Sequence, residues 1–248
     1  MNYLDHFSSK SAKYLSTRPT YPKEMFQFFK ELVPPKCTVW DCGTGNGQAA
    51  YGLAKCFQHV IGTDRSLEQL KLAKRRENIL YVCSPAEKTP IPSNTIDFIT
   101  IAQALHWFDL PLFYEEVIRV AREEAYLAAW CYSLCQITPQ IDRIVAHLYE
   151  QILGEQYWPK ERIYIEEEYK TIPFPFKRIE SPAFVIRKKM NLYDFLGYLN
   201  TWSAVKEYER REGKNPLGII LNDLQSAWDR IDKKLDTLWP IHMLVGKV

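Results

Sequence analysis

At 248 residues, 46% hydrophobic and 25% charged, the chain has the size and composition of one α/β domain with an added lobe, which excludes a disordered or fibrous protein. A net charge of +2 excludes a broad electrostatic attraction to nucleic acid or to a membrane surface. No stretch reaches the length of a membrane span, no apolar signal core opens the chain, and six scattered cysteines without a C-x-x-C pair point to reduced thiols in a cytoplasm.

Tyr14, Arg18 and Tyr21 lie among Thr and Pro ahead of the first periodic segment. Residues 24–32 carry an amphipathic helical pattern, closed by Pro34 and Pro35. Residues 37–42 read as the first strand. A helix over 48–57 sets Ala50, Leu53, Ala54 and Phe57 on one face. Residues 59–63 form the second strand. Ser66 then caps a helix that runs to about residue 76, and Gln69 completes a capping box. Residues 79–82 give a third strand, and Pro85, Pro90 and Pro92 mark the loop after it. The run 96–102 is nearly all apolar, as a parallel strand covered on both faces requires. Asp109 starts the next helix, with Pro111 tolerated in its first turn. Residues 126–130 give a fifth strand.

This alternation predicts right-handed crossovers and a mostly parallel sheet with helices on both faces. Beyond residue 133 the pattern predicts helices over 137–153, 191–211 and 217–238, the last started by Asn215 and Pro216. It predicts strands over 169–179 and 183–189. The region reads as a lobe over the pocket mouth. Residues 241–248 are apolar enough for a buried closing strand. The expected organisation is a single domain. Residues 1–35 form a lid and helix, 36–132 a ligand-binding core, 133–238 an inserted lobe, and 239–248 the closing strand.

The first strand runs into Gly43, Gly45 and Gly47. This G-x-G-x-G spacing differs from the dinucleotide fingerprint G-x-G-x-x-G, and no P-loop occurs. Glycines admit positive φ and let a ligand lie against the main chain. The helix that follows favours a negative group at its N-terminus, which an amino-acid carboxylate supplies. Asp41 sits inside the strand end, where an acid needs donors and an ammonium suits it. Asp64 ends the second strand. There it can accept from both hydroxyls of an unphosphorylated ribose and would repel a 2′-phosphate. Arg65 follows, free to stack on or pair beside an adenine, or simply to be solvated. Asp41, Asp64, Gln103 and Trp130 all fall at or near strand carboxyl ends, where such sheets bind ligands. A ribose, an ammonium and a carboxylate together describe S-adenosylmethionine.

The chain resembles the class I S-adenosylmethionine-dependent methyltransferases, within them the small-molecule branch that includes trans-aconitate methyltransferase. The likeness rests on Y-L-S-T-R-P-T-Y-P over residues 14–22, D-C-G-T-G-N-G over 41–47 with Thr44 inside it, Asp64, Ala86 with Glu87, and A-Q-A-L-H-W-F over 102–108. It resumes over 197–203 and 239–247. The resemblance implies a Rossmann-like sheet with residues 241–248 as the antiparallel strand inserted near one edge. It implies that Ala86 and Glu87 meet the adenine. Gln103 and Ala104 would contact the methionine moiety through the backbone, and His106 and Trp107 would floor the pocket. One departure is that relatives usually have a Pro-Gly-Gly turn before the fifth strand. Here residues 122–125 read R-E-E-A, which leaves that turn open.

His106 can act as a base for an oxygen or nitrogen nucleophile, or only position the substrate. Positioning is favoured, because the nearest resemblance is to carboxylate methylation and a carboxylate needs no deprotonation. Tyr14, Arg18 and Tyr21 read as a lid whose aromatic faces favour a sulfonium and whose closure excludes water. Tyr132, Trp202 and Arg187 are the candidates for an acidic substrate, against plain core packing or solvation. No H-x-x-x-H or clustered Cys/His set offers a metal site. The expectation is a cytoplasmic methyltransferase, monomer or homodimer, with a small-molecule acceptor and neither nucleic acid nor membrane as partner. The methyl would pass in line to oxygen or nitrogen, driven by placement in a dry site. Two alternatives stay open: a non-catalytic S-adenosylmethionine-binding regulatory protein, and a methyltransferase for protein or RNA, the latter opposed by the near-neutral charge.

Overall fold

Apolar runs that cannot turn a face to water pair in parallel at the centre of a sheet, and the chain places its strands accordingly. The computed structural model describes residues 19–248. Tyr14 and Arg18 of the expected lid lie outside the described residues.

Helix α1 (Lys23–Leu32) buries Met25, Phe26 and Phe29 along the predicted stripe. After β1 (Thr38–Cys42), α2 (Gln48–Leu53) stops short of the predicted 48–57. The chain turns there because the Asn78 side-chain amide donates to the carbonyls of Ala54 and Phe57, at 2.8 and 2.9 Å. Strand β2 (His59–Asp64) leads to α3 (Leu67–Lys71), also shorter than expected. Ser66 Oγ caps it, accepting from Gln69 N at 3.3 Å. The Ser66 N–H, which a capping box assigns to Gln69, donates instead to Asp64 Oδ1 at 2.8 Å.

Strands β3 (Ile79–Cys83) and β4 (Ile96–Ala102) lie where predicted. A 3-10 turn over Leu105–Trp107 precedes α4 (Leu110–Val120), capped by Asp109. Strand β5 (Ala121–Tyr132) starts earlier than the predicted 126. Residues 122–125 are strand, not turn. A register shift between the Ile96 and Phe98 pairs and a positive φ of 67° at Glu124 absorb them. Arg122 Nη1 donates to Asp97 Oδ1 at 2.9 Å beside this bulge.

The helix predicted over 137–153 divides into α5 (Pro139–His147) and a π-helical stretch over Leu148–Leu153, and α6 (Gly154–Tyr157) follows beyond its predicted end. Helix α7 (Ile163–Glu166) was not anticipated. Of the strand predicted over 169–179, only β6 (Lys177–Ile179) forms, because Glu168 and Tyr169 take positive φ values of 58° and 60° that end α7 and interrupt extended backbone. Strand β7 (Phe184–Met190) precedes α8 (Leu192–Leu199) and α9 (Ser203–Glu212), which replace one predicted helix. Between them the Thr201 hydroxyl donates back to the Tyr198 carbonyl at 2.7 Å, a local bond that competes with helix continuation. Helix α10 (Leu217–Trp228) ends at Asp229, whose φ is 64°. Residues 235–238, predicted helical, begin β8 (Leu235–Lys247).

The sheet order is β3-β2-β1-β4-β5-β8-β6, with β7 pairing with β8 off this path. All pairs from β3 to β5 are parallel. Strand β8 is antiparallel to both β5 and β6, the inserted strand that the resemblance implied. Two compact units make up the described chain. One comprises Tyr21–Ser133, Ile163–Val185 and Pro240–Val248. Phe29, Trp40, Phe98, Phe113 and Trp130 are fully buried in it. Phe29 meets Phe98 edge-on at 5.1 Å, and each such ring contributes about 2–3 kcal/mol through burial. The other unit contains Leu134–Arg162 and Ile186–Trp239. Its core holds Phe195, Trp228 and Trp239, with Trp239 Nε1 donating to Tyr198 Oη at 3.0 Å. Among the described residues no helix is long and apolar enough to cross a membrane.

Candidate active site

The three loop glycines take positive φ values of 65°, 55° and 77° at Gly43, Gly45 and Gly47. Their reasons differ. A Cβ on Gly43 would sit 2.6 Å from Ala104 Cβ, and one on Gly47 would sit 2.2 Å from the Tyr81 hydroxyl. A Cβ on Gly45 would meet nothing within 4 Å. Gly43 and Gly47 therefore let the loop pack, whereas Gly45 faces open space against bare backbone. Thr44 is buried, and its N–H donates to Thr63 O at 2.9 Å.

Asp41 is fully buried. Its Oδ2 accepts from Thr44 Oγ1 at 2.5 Å and from Ala50 N at 3.0 Å, and its Oδ1 accepts from Thr100 Oγ1 at 2.9 Å. Burial pushes its carboxyl up to about 6, against the pull of those three hydrogen bonds. Protein donors already hold Asp41, which ties β1 to the glycine loop, α2 and β4.

Asp64 is half-buried at the end of β2. Its Oδ2 accepts from Gly45 N at 2.8 Å and its Oδ1 from Ser66 N at 2.8 Å. Each carboxylate oxygen retains acceptor capacity, so a pair of hydroxyls can still be received. Arg65 is exposed, and its carbonyl accepts from Cys83 Sγ at 3.7 Å. Ala86 is buried and Glu87 half-buried, with Glu87 Oε1 accepting from Asp109 N at 3.0 Å. Gln103 adopts a positive φ of 57°, an arrangement that costs a non-glycine residue about 1 kcal/mol and is common at functional sites. Its N–H donates to Trp130 O at 2.8 Å, and its Oε1 accepts from Tyr132 N at 3.4 Å. Ala104 is buried against Gly43. The strand ends thus bring Asp41, the glycines, Asp64, Gln103 and Ala104 together within one unit.

His106 is buried in the 3-10 turn, with Nδ1 2.9 Å from the Tyr169 hydroxyl. Its ring lies 4.9 Å from that of the exposed Trp107. Tyr132 is half-buried in the same unit. Tyr21, the described member of the expected lid, meets Trp130 edge-on at 5.3 Å. Arg187 and Trp202 belong to the other unit. Arg187 is exposed there, and Trp202 is packed among Tyr149, Trp158 and Tyr198. Tyr169 had gone unnoticed in the sequence. It lies 63 residues from its histidine, and no spacing or motif marks it. Among the described residues no group of three or more His, Cys, Asp or Glu could hold a metal ion.

Residues 40–129 match the model of a methyltransferase domain. A Dictyostelium discoideum protein named as a methyltransferase is 37% identical over 249 residues, covering 98% of this chain and 95% of its own length. A solved structure from Anaeromyxobacter dehalogenans, described as a type II methyltransferase, has a TM-score of 0.85 at 40% identity. It covers 93% of this chain and 97% of its own. A Saccharomyces cerevisiae protein named as S-adenosylmethionine-dependent is 29% identical over 135 residues, covering 50% of this chain and 45% of its own.

Proposed function

Because the chain belongs to the class I S-adenosylmethionine-dependent methyltransferases, we propose that it methylates a small molecule, with a carboxylate oxygen as the first candidate acceptor. The residues fit the cofactor. Gly45 presents bare backbone to open space, and the amides of Gly45 and Ser66 hold Asp64 with acceptor capacity to spare. In this reading the backbone of Gly43, Thr44, Gly45 and Gly47 cradles the amino-acid end, and Asp64 receives the ribose hydroxyls. Ala86, Glu87 and Arg65 flank the adenine. Gln103 and Ala104 line the methionine end. When bound, the cofactor supplies an electrophilic methyl group on a sulfonium.

His106 carries the acceptor reading. It is a buried polar ring beside the exposed Trp107. We assign it to holding an acceptor oxygen, not to removing a proton, because a carboxylate arrives as an anion. Trp107 and Tyr132, in the same unit, complete the proposed acceptor set. The chain's residues then contribute placement at contact distance and exclusion of water. The six free cysteines support a cytoplasmic setting, and we take the enzyme to act there as a monomer or homodimer.

Formation of S-adenosylhomocysteine should be measured against a panel of small carboxylic acids, alcohols and amines, with RNA and a protein extract as separate arms. Turnover with a carboxylic acid supports the proposal. Turnover confined to RNA or protein overturns it.

A further inference from the structure

Gly62 of β2 pairs in register with Tyr81 of β3, within one unit of the fold. It carries no side chain, and the half-buried Tyr81 ring lies across the place that one would take. A Cβ on Gly62 would sit 2.8 Å from both Cδ1 and Cε1 of that ring and 3.2 Å from Thr44 Cγ2. A Cβ on Gly47 would collide with the Tyr81 hydroxyl and sit 3.4 Å from Ala73 Cβ. The ring therefore crosses from β3 over β2 and ends against the glycine loop, at the residue that starts α2 with a φ of 77°.

Its surroundings fix the ring. The hydroxyl donates to Lys74 O at 3.0 Å, just past α3. The Arg75 guanidinium lies over the ring face, 5.3 Å from its centroid. Burial, and then the charge of Asp41, push the phenol up to about 12, so at neutral pH it keeps its proton and that donor bond. The loop itself is drawn the other way. Gly45 N donates to Asp64 Oδ2 and Thr44 N to Thr63 O, and both bonds pull the loop toward the end of β2. The Tyr81 hydroxyl is the stop at the Gly47 end, because packed atoms resist closer approach steeply.

We infer that Tyr81 is a positioning residue for the cofactor, whose ring and hydroxyl hold the Gly47 end of the glycine loop where its backbone can receive the amino-acid group of S-adenosylmethionine. It acts through the loop backbone. This deepens the proposed cradle and rests on that reading. The consequence is selective. Affinity for a ligand that carries the amino-acid group depends on Tyr81, and affinity for the adenosyl group alone, received at Asp64, does not.

The test is calorimetry on the full chain with two probes, S-adenosylhomocysteine and 5′-methylthioadenosine, the second an adenosyl thioether without the amino-acid group. Tyr81→Phe removes the hydroxyl and keeps the ring, and Tyr81→Leu removes both. S-adenosylhomocysteine affinity should fall about threefold in Tyr81→Phe and about tenfold or more in Tyr81→Leu, while 5′-methylthioadenosine affinity stays at the wild-type value in both. Equal losses for the two probes would make Tyr81 a general support of the fold and overturn the inference. So would an unchanged S-adenosylhomocysteine affinity. If Tyr81→Leu does not fold, Tyr81→Phe alone decides. A wild type that fails to bind one or both probes would instead contradict the cofactor site itself, and the inference with it, so the two failures are told apart.

Discussion

The backbone N–H of Gly45 donates to Asp64 Oδ2 at 2.8 Å. The glycine loop and the acid at the end of β2 are therefore one bonded unit, not two neighbouring marks in the sequence. Ser66 N holds the other oxygen at 2.8 Å. A carboxylate fixed by two amides keeps its remaining lone pairs in set directions. The proposed ribose end is thereby held in register with the proposed amino-acid end.

The loop glycines should separate stability from binding. Gly47→Ala places a Cβ 2.2 Å from the Tyr81 hydroxyl at a φ of 77° and should cost about 2–3 kcal/mol of folding stability. Gly45→Ala meets no atom within 4 Å and should cost only about 1 kcal/mol. Its methyl group intrudes over the loop, so S-adenosylhomocysteine affinity should fall about tenfold or more. Chemical denaturation and calorimetry on both variants check the ranking. The reverse order would contradict the division of roles.

Asp41 should make stability depend on pH. Its folded value of about 6 lies above its ordinary 3.8, because burial disfavours the charge. The protonated form is the one the fold prefers. Its contribution is present in full below about pH 3.8 and is lost as pH rises towards and through about 6, by about 3 kcal/mol. The difference in unfolding free energy between wild type and Asp41→Asn should therefore shrink across that window and then level off. A difference that grows with pH would mean the buried acid is stabilised as an anion.

Glu116 is buried and anchors the loop that carries Ala86 and Glu87. Its Oε1 accepts from Thr89 N and Thr89 Oγ1, both at 2.7 Å, and Arg119 Nε donates to its Oε2 at 2.7 Å. Burial alone would raise its carboxyl, but the Arg119 guanidinium and the Thr89 donors outweigh it and hold it below the usual range. Its contribution is present above the ordinary carboxylate range and fades as pH falls through the lowered value. Glu116→Ala should cost about 2–3 kcal/mol at neutral pH, and proteolysis should cut first in the 85–92 loop. An unchanged melting curve would refute the anchor.

Deleting residues 240–248 should prevent folding. Strand β8 pairs antiparallel with β5 from Ile241 to Lys247, so its loss strips one edge of β5 bare. Expression should give insoluble material. A soluble product with a cooperative melt would contradict the place of β8 in the sheet.

Much of this fold was legible because its strongest signals are local. Residues 96–102 carry the apolar run expected of a strand covered on both faces, and the spacing of Gly43, Gly45 and Gly47 could be read without knowing what surrounds them. What escaped reading depends on distant partners. Residues 122–125 left the turn before the fifth strand open, and Asp97 and a positive φ at Glu124 draw them into β5. The Thr100 hydroxyl on Asp41 was unannounced, because nothing near Asp41 in sequence points to it. Tyr169 was invisible, since two adjacent non-glycine residues with positive φ follow no propensity rule.

Calorimetry of S-adenosylhomocysteine binding to folded wild type and to Asp64→Ala is the most direct test of the bonded pair at Gly45 and Asp64. Wild type should bind at one site, and Asp64→Ala should bind about 100-fold more weakly, close to 3 kcal/mol, while circular dichroism shows it still folded. No binding heat from wild type, or equal affinities for the two proteins, would contradict it.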